Sequence, residues 1–231
     1  MILKIVLRKT PKNPIIIEGF PSFGLVGTIT TEFLLEHLKA ELIGEFHYDE
    51  LSPIAAVHKG KLVNPMAVWY VPSRNIVILH TILNVRGYEW EIANNIIDMA
   101  KKMGAKEIIS LEGVATDDMS DDIKVYYYGN NKLGECGALP VKESIIMGVS
   151  AALMLRYKKL SCLFAAAHTQ LPDSKAAAKL IQILDKYLGL EVDYHPLLKQ
   201  AEEFENKIKS ILQQSNKTLR EADKKSMSYL G

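Results

Sequence analysis

Residues Leu160–Ala167 read Leu-Ser-Cys-Leu-Phe-Ala-Ala-Ala, eight positions without an alternation of apolar and charged side chains. A strand with one wet face alternates, whereas a strand this uniformly apolar needs cover on both faces and belongs at the centre of a sheet. Helical layers on the two faces are the usual cover. This requirement constrains the fold more than any other feature of the chain.

The remaining pattern supplies such layers. Strand character is predicted for residues 2–7, 15–17, 42–48, 54–58, 67–71, 76–80, 107–111 and 124–128. Lys59-Gly60-Lys61 and Pro72-Ser73-Arg74-Asn75 are turn sequences, so antiparallel hairpins are expected there. Helical spacing is predicted over 25–39, 88–103, 143–157 and 175–188. Gly104 and Gly189 are natural C-terminal stops, and Asp173 or Ser174 is a natural N-cap. Helices alternating with buried strands predict a three-layer α/β sandwich with a mixed sheet, the hairpins adding antiparallel strands.

The last segment differs from this body, which divides the chain into a core over 1–194 and an extension over 195–231. Leu197, Ala201, Phe204, Ile208 and Ile211 step by 4, 3, 4 and 3, a heptad stripe on a helix over 195–214. Its apolar edge must pack on the domain or on another subunit. The chain is then polar from 213 to 228 and ends Met227-Ser228-Tyr229-Leu230-Gly231. An aromatic–aliphatic plug beside a carboxylate is a compact recognition unit: the ring fills a pocket and the carboxylate meets a lysine or backbone donors. Packing of the plug on its own domain is the plainer alternative.

The 231 residues balance 28 Lys and Arg against 27 Asp and Glu. A nucleic-acid partner, which demands a strongly basic face, is not expected. Two cysteines are too few for a disulfide framework. Cys162, inside an apolar run, is expected to be a buried free thiol, and Cys136 lies between glycines with no metal-binding neighbour. The charge-broken start and the absence of a long apolar run predict a soluble, cytoplasmic protein without a membrane span.

Several constellations invite chemistry. Gly19-Phe20-Pro21-Ser22-Phe23-Gly24-Leu25-Val26-Gly27 joins a strand to a helix, where phosphate loops are found. It lacks the Gly-Lys-Ser/Thr end of a P-loop, and Ser22 stands where a dinucleotide fingerprint has Gly. An anion site on bare helix amides and a packing turn both fit. Glu112 and His168 follow buried strands, where α/β enzymes place catalytic groups, and with Asp117 they could form an acid/base site. Each is equally a loop-organising residue. Asp117, Asp118, Asp121 and Asp122 could attract a divalent cation, but the calcium-loop spacing is absent and a solvated acidic loop suffices. Tyr126-Tyr127-Tyr128, Trp69, Tyr70 and Trp90 suit an interface or ordinary packing.

Ile17-Glu18-Gly19-Phe20-Pro21-Ser22-Phe23-Gly24-Leu25-Val26-Gly27 resembles the opening signature of the archaeal proteasome-assembly-chaperone family. Glu112-Gly113 and Thr169-Gln170-Leu171-Pro172-Asp173 sit where that family has related segments, and the resemblance spans most of residues 1–195. It implies a three-layer α/β fold similar to nucleoside phosphorylases, with no established catalytic role and no cofactor. It also implies oligomers that bind 20S proteasome α-subunits or the α-ring. Activators similar to this system dock through a C-terminal hydrophobic-Tyr-any motif; here Tyr229 stands one place further in and Ser228 replaces the hydrophobic residue. The expected partner-binding residues are therefore Met227, Tyr229, Leu230 and Gly231, with Leu197, Phe204, Ile208 and Ile211 of the stripe. The function implied is an ATP-independent, homo-oligomeric assembly chaperone. The open alternatives are a phosphorylase- or ligase-like enzyme acting on an anionic small molecule, and a scaffold for another protein.

Overall fold

The computed structural model describes residues 4–48, 56–58, 60–117, 122–168, 170–199, 203, 207–210 and 213. In chain order its elements are β1 (Lys4–Leu7), β2 (Ile15–Gly19), a 3-10 turn (Phe23–Leu25), α1 (Val26–His37), β3 (Glu41–His47), β4 (Ala56–His58), β5 (Lys61–Val63), β6 (Met66–Val71) and β7 (Ile76–Thr81). They continue with α2 (Glu89–Met103), β8 (Glu107–Ala115), β9 (Val125–Tyr128), α3 (Lys132–Glu135), β10 (Leu139–Pro140), α4 (Gly148–Arg156), β11 (Leu160–Ala167), α5 (Ser174–Leu188) and α6 (His195–Lys199).

One nine-stranded mixed sheet runs β1-β3-β6-β7-β2-β8-β11-β9-β10. Its centre, β7-β2-β8-β11, is parallel, and the β6–β7 and β1–β3 pairs are antiparallel. All eight residues of β11 are buried, as an unalternating run demands. Two apolar clusters cover the two faces. Ile17, Ile109 and Leu163 point toward α1 and α5, while Ile16, Ile108 and Phe164 point toward α2 and α4. The three-layer α/β sandwich with a mixed sheet is thus borne out.

The differences are local. β4 and β5 form their own two-stranded hairpin. The helix expected over 143–157 begins only at Gly148, because Met147 is extended and Gly148 is left-handed at φ 78. α3 and β10 are too short to leave a periodic signal. Asp173 caps α5, its carboxylate accepting from the Ala176 amide at 2.9 Å.

The segment 15–27 explains how the layers approach so closely. A Cβ on Gly19 would lie 2.3 Å from the Gly27 carbonyl oxygen, and one on Gly27 would lie 2.4 Å from that of Leu111. Only glycine lets backbone meet backbone at that range. The first residues of α1, Val26, Gly27 and Thr28, are fully buried, so its N-terminus is closed to an anion. Of the two readings of this turn, the packing turn is the one its geometry supports.

Candidate functional site: a strand-end crevice and an anchored extension

On the α2/α4 face the strand phase that carries Ile16 and Ile108 continues into polar side chains. Glu18 on β2 pairs across the ladder with Ser110 on β8, and Ser110 pairs with Cys162 on β11. Ser110 Oγ donates to Ser150 Oγ of α4 at 2.8 Å. Glu18 bonds Ser110, and Glu112 bonds Ser150.

Glu18 is 1% exposed. Burial, with the nearby Glu112 charge, pushes its pKa up to about 8 against the pull of the Ser110 bond. Burial likewise lifts Glu112 to about 7, opposed by Ser150. Ser110 thus stands between Glu18 and Ser150, and Ser150 between Ser110 and Glu112, so four polar groups form one chain across β2, β8 and α4. One oxygen of each carboxyl, Glu18 Oε1 and Glu112 Oε2, has no hydrogen-bond partner among the described residues. Burial also pushes the Cys162 thiol up, so this thiol is inert; both cysteines are free.

Glu112 opens onto a crevice of about 310 Å³, lined by Phe20 and Ser22 beyond β2, Arg86 beyond β7, and the start of α4. β2 lies between β7 and β8 here: from β2 the chain goes by way of α1 to the strands on the β7 side, and after β7 it crosses by way of α2 to β8 on the other side. Crevices at the carboxyl ends of strands at such a switch point are the usual ligand sites of open α/β sheets.

His168 does not join this group. Phe164 is the residue opposite Glu112, and His168 lies four residues further along, roughly 13 Å at strand rise. His168 and Asp117 are both exposed. The acid/base trio suggested by strand ends is therefore not assembled. Asp122 reaches Lys179 at 3.4 Å, whereas Asp118 and Asp121 lie outside the described residues. No group of three or more His, Cys, Asp or Glu among the described residues could hold a metal ion. Of the aromatics, Trp69 and Tyr127 pack on one apolar cluster and Tyr70 and Tyr126 on the other. Trp90 is exposed and stacks beneath Arg156, 4.3 Å from its guanidinium carbon.

The C-terminal extension begins with α6, and its further described residues, 203, 207–210 and 213, are helical. Leu197 and Ile208, each 1% exposed, belong to the apolar cluster on the α1/α5 face. The stripe's described residues therefore pack on the chain's own domain, the first of the two fates open to it. Lys207 adds a polar clamp, its ammonium donating to Glu32 and, at 3.2 Å, to Glu36 of α1. Glu32 also meets His80 Nε2 at 3.0 Å, and His80 Nδ1 lies 2.9 Å from Thr31 Oγ1. Burial would raise Glu32, but the His80 bond and the His80 and Lys207 charges outweigh it and hold the carboxyl at about 2. Phe204, Ile211, Met227, Tyr229, Leu230 and Gly231 lie outside the described residues.

Ser110, Ser150, Glu32, His80 and Lys207 escape a motif search because each is alone in sequence, and Glu18, though inside the signature over 17–27, carries no sign there of its partners. A usable signal existed for two of them. Ile16-Glu18-Phe20 and Ile108-Ser110-Glu112 each place polar groups on the inward phase of a strand.

Comparison with known proteins places the chain. The PAC2 family model matches residues 16–212. PbaA of Pyrococcus furiosus, an archaeal homolog of proteasome-assembly chaperone, is 30% identical with a TM-score of 0.83, over 94% of this chain and 99% of that one. PbaB of the same organism, an archaeal proteasome activator, shares the fold at 24% identity and a TM-score of 0.72, over 90% of this chain and 98% of that one. An uncharacterized protein of Methanocaldococcus jannaschii is 27% identical over 247 residues, covering 96% of this chain and 94% of its own. Among the described residues, no helix is long and apolar enough to cross a membrane. The resemblance carried by residues 17–27 therefore holds along nearly the whole chain, which belongs to the PAC2 family.

Proposed function

We propose that the chain is an ATP-independent, non-enzymatic chaperone of the cytoplasm that acts as a homo-oligomer on 20S proteasome α-subunits or the α-ring. The observation that carries this reading is the likeness to P. furiosus PbaA, a homolog of proteasome-assembly chaperone, at 30% identity over 94% of this chain. Residues 1–194 form the folded body and residues 195–231 its docking extension.

The root of that extension supports the division of labour. Leu197, Lys207 and Ile208 fasten it beside α1 and α5, which gives the residues beyond a defined point of departure. Phe204 and Ile211 share the stripe, and Met227, Tyr229, Leu230 and Gly231 are the residues assigned to the partner's pocket. An aromatic anchor with aliphatic neighbours is the composition of an interface hot spot.

The test is co-sedimentation with purified α-subunits of the full chain, of a chain ending at Gln214, and of Tyr229→Ala. Loss of binding in both variants, with unchanged thermal unfolding, is the expected result. Undiminished binding by the shortened chain would remove the extension from the mechanism. Failure of the full chain to bind would remove the α-subunit as partner.

A further inference from the structure

We propose that two adjoining clefts at the amino end of β11, one on each side of Tyr157 and Lys158, bind an acidic polypeptide segment that carries apolar anchors. The inference stands on the clefts and the charge around them and is independent of the docking role given to residues 195–231.

The first cleft, of about 390 Å³, lies between the end of α2 and the turn into β11, where Lys101, Lys158 and Lys159 line it together with Ala100 and Ala105. The second, of about 560 Å³, lies between the end of α4 and the end of β9, where Tyr128, Leu155 and Arg156 line it. Tyr157 and Lys158 line both and so form the ridge between them. That ridge is fixed at both ends. The Tyr157 amide donates to the Leu153 carbonyl at 2.8 Å, and the Lys159 carbonyl accepts from the Ile108 amide at 2.9 Å. A surface held in this way loses little conformational freedom on binding.

Among the described residues, no carboxylate lines either cleft. Lys102 and Lys106 adjoin them in the chain and are exposed. Lys102, Lys106, Lys158 and Lys159 form no ion pair among the described residues, and Lys101 meets Asp98 at 3.9 Å, an exposed pair of little strength. Arg156 lies against neutral groups, the ring of Trp90 and the side-chain oxygen of Asn94. Glu107 faces the other layer, where its carboxylate accepts from Ser161 and, at 2.8 Å, from Tyr187 of α5. These six cations thus gather beside one carboxylate, in a chain that balances 28 Lys and Arg against 27 Asp and Glu. Cations in the last turns of α2 and α4 answer the helix dipoles, but Lys106, Lys158 and Lys159 lie beyond both helices. A local excess of this kind selects a partner of opposite charge.

The apolar groups of the same clefts decide which polyanion fits. Leu155 is 74% exposed and Tyr128 47% exposed, beside Met154 and Tyr157. A nucleic acid is held chiefly through its phosphates, and an exposed leucine adds nothing to those contacts. A polypeptide supplies carboxylates for the lysines and an aliphatic or aromatic side chain to cover Leu155.

The experiment is fluorescence anisotropy of the labelled peptide Glu-Glu-Leu-Glu-Glu-Tyr-Glu-Glu titrated with the full chain at neutral pH. The peptide should saturate with a Kd below about 100 μM and weaken about tenfold or more between about 50 mM and about 300 mM salt. Lys158→Glu together with Lys159→Glu should weaken it at least about tenfold. Lys39→Glu together with Lys175→Glu makes the same change of net charge after α1 and on α5, and should alter binding less than about twofold. Leu155→Ser should weaken this peptide about threefold or more and leave an all-Glu peptide of equal length unchanged. No saturation, equal losses in the two charge-reversed pairs, full affinity in Leu155→Ser, or a single-stranded DNA of equal length bound as tightly as the peptide would each overturn the assignment. Every substituted side chain is exposed, so the variants keep the fold, which thermal unfolding checks.

Discussion

Lys207 donates to Glu32 and Glu36, carboxylates 175 and 171 residues away in sequence, and so ties the C-terminal extension to the first helix. Around this contact Glu32 is also bonded to His80, which lies on the central strand β7. The clamp therefore joins three parts of the fold through one carboxyl.

Lys207→Met is expected to lower stability by about 1–2 kcal/mol, since it removes partly buried, charge-assisted hydrogen bonds and leaves Glu32 with His80 alone. Denaturant unfolding measures the loss. Hydrogen exchange should locate it, with amides 207–210 exchanging faster and those of β11 unchanged.

The carboxyl network makes stability depend on pH in opposite senses. Glu18 and Glu112 are raised from 4.5 to about 8 and about 7, so their contribution is fully present below about pH 4.5 and is lost as pH rises through 7 to 8. Glu32 is lowered to about 2, so its contribution is present above its unfolded value and is lost as pH falls toward 2. Glu18→Gln should flatten the alkaline decline and improve stability at pH 8 relative to pH 5 by about 2 kcal/mol. Urea midpoints of both proteins at pH 5 and 8 check this; parallel curves would contradict it.

Gly27→Ala places a methyl group 2.4 Å from the Leu111 carbonyl oxygen, where neither backbone can yield without opening the contact between α1 and β8. A loss of about 3 kcal/mol is expected. Thermal unfolding should show a clear drop, and Gly137→Ala, whose Cβ meets nothing within 4 Å but whose φ is 106, should cost less.

Asp173→Ala removes the acceptor of the Ala176 amide at the start of α5. The expected cost is about 1 kcal/mol, and Asp173→Asn should recover most of it, because an amide oxygen caps nearly as well. Equal losses in both variants would assign the effect to something other than the cap.

Local pattern carried much of this fold. The unbroken apolar run Leu160–Ala167 demanded a central strand, and the structure places β11 inside the sheet with every residue buried. The spacing of Ile92, Ile96 and Met103 and the stop at Gly104 gave α2 nearly to the residue. Such signals are readable because a helix or a central strand imposes its own period on burial. The turn at residues 19–27 was legible as a strand-to-helix joint, but its role depended on whether anything stood opposite the glycines.

That second kind of fact belongs to tertiary structure. Sequence determined the layers, most of the elements, the packing role open to the stripe at Leu197 and Ile208, and the family to which residues 17–27 point. Only the folded chain brought Glu18, Ser110, Ser150 and Glu112 into one network, left His168 beyond the end of β11, and set Lys207 against Glu32. The physical reason is that a hydrogen bond or a pKa shift depends on distance and on exclusion from water, and both are set by strand order and layer contact. A lone glutamate in sequence carries neither; at the end of a buried strand, beside another, it acquires both.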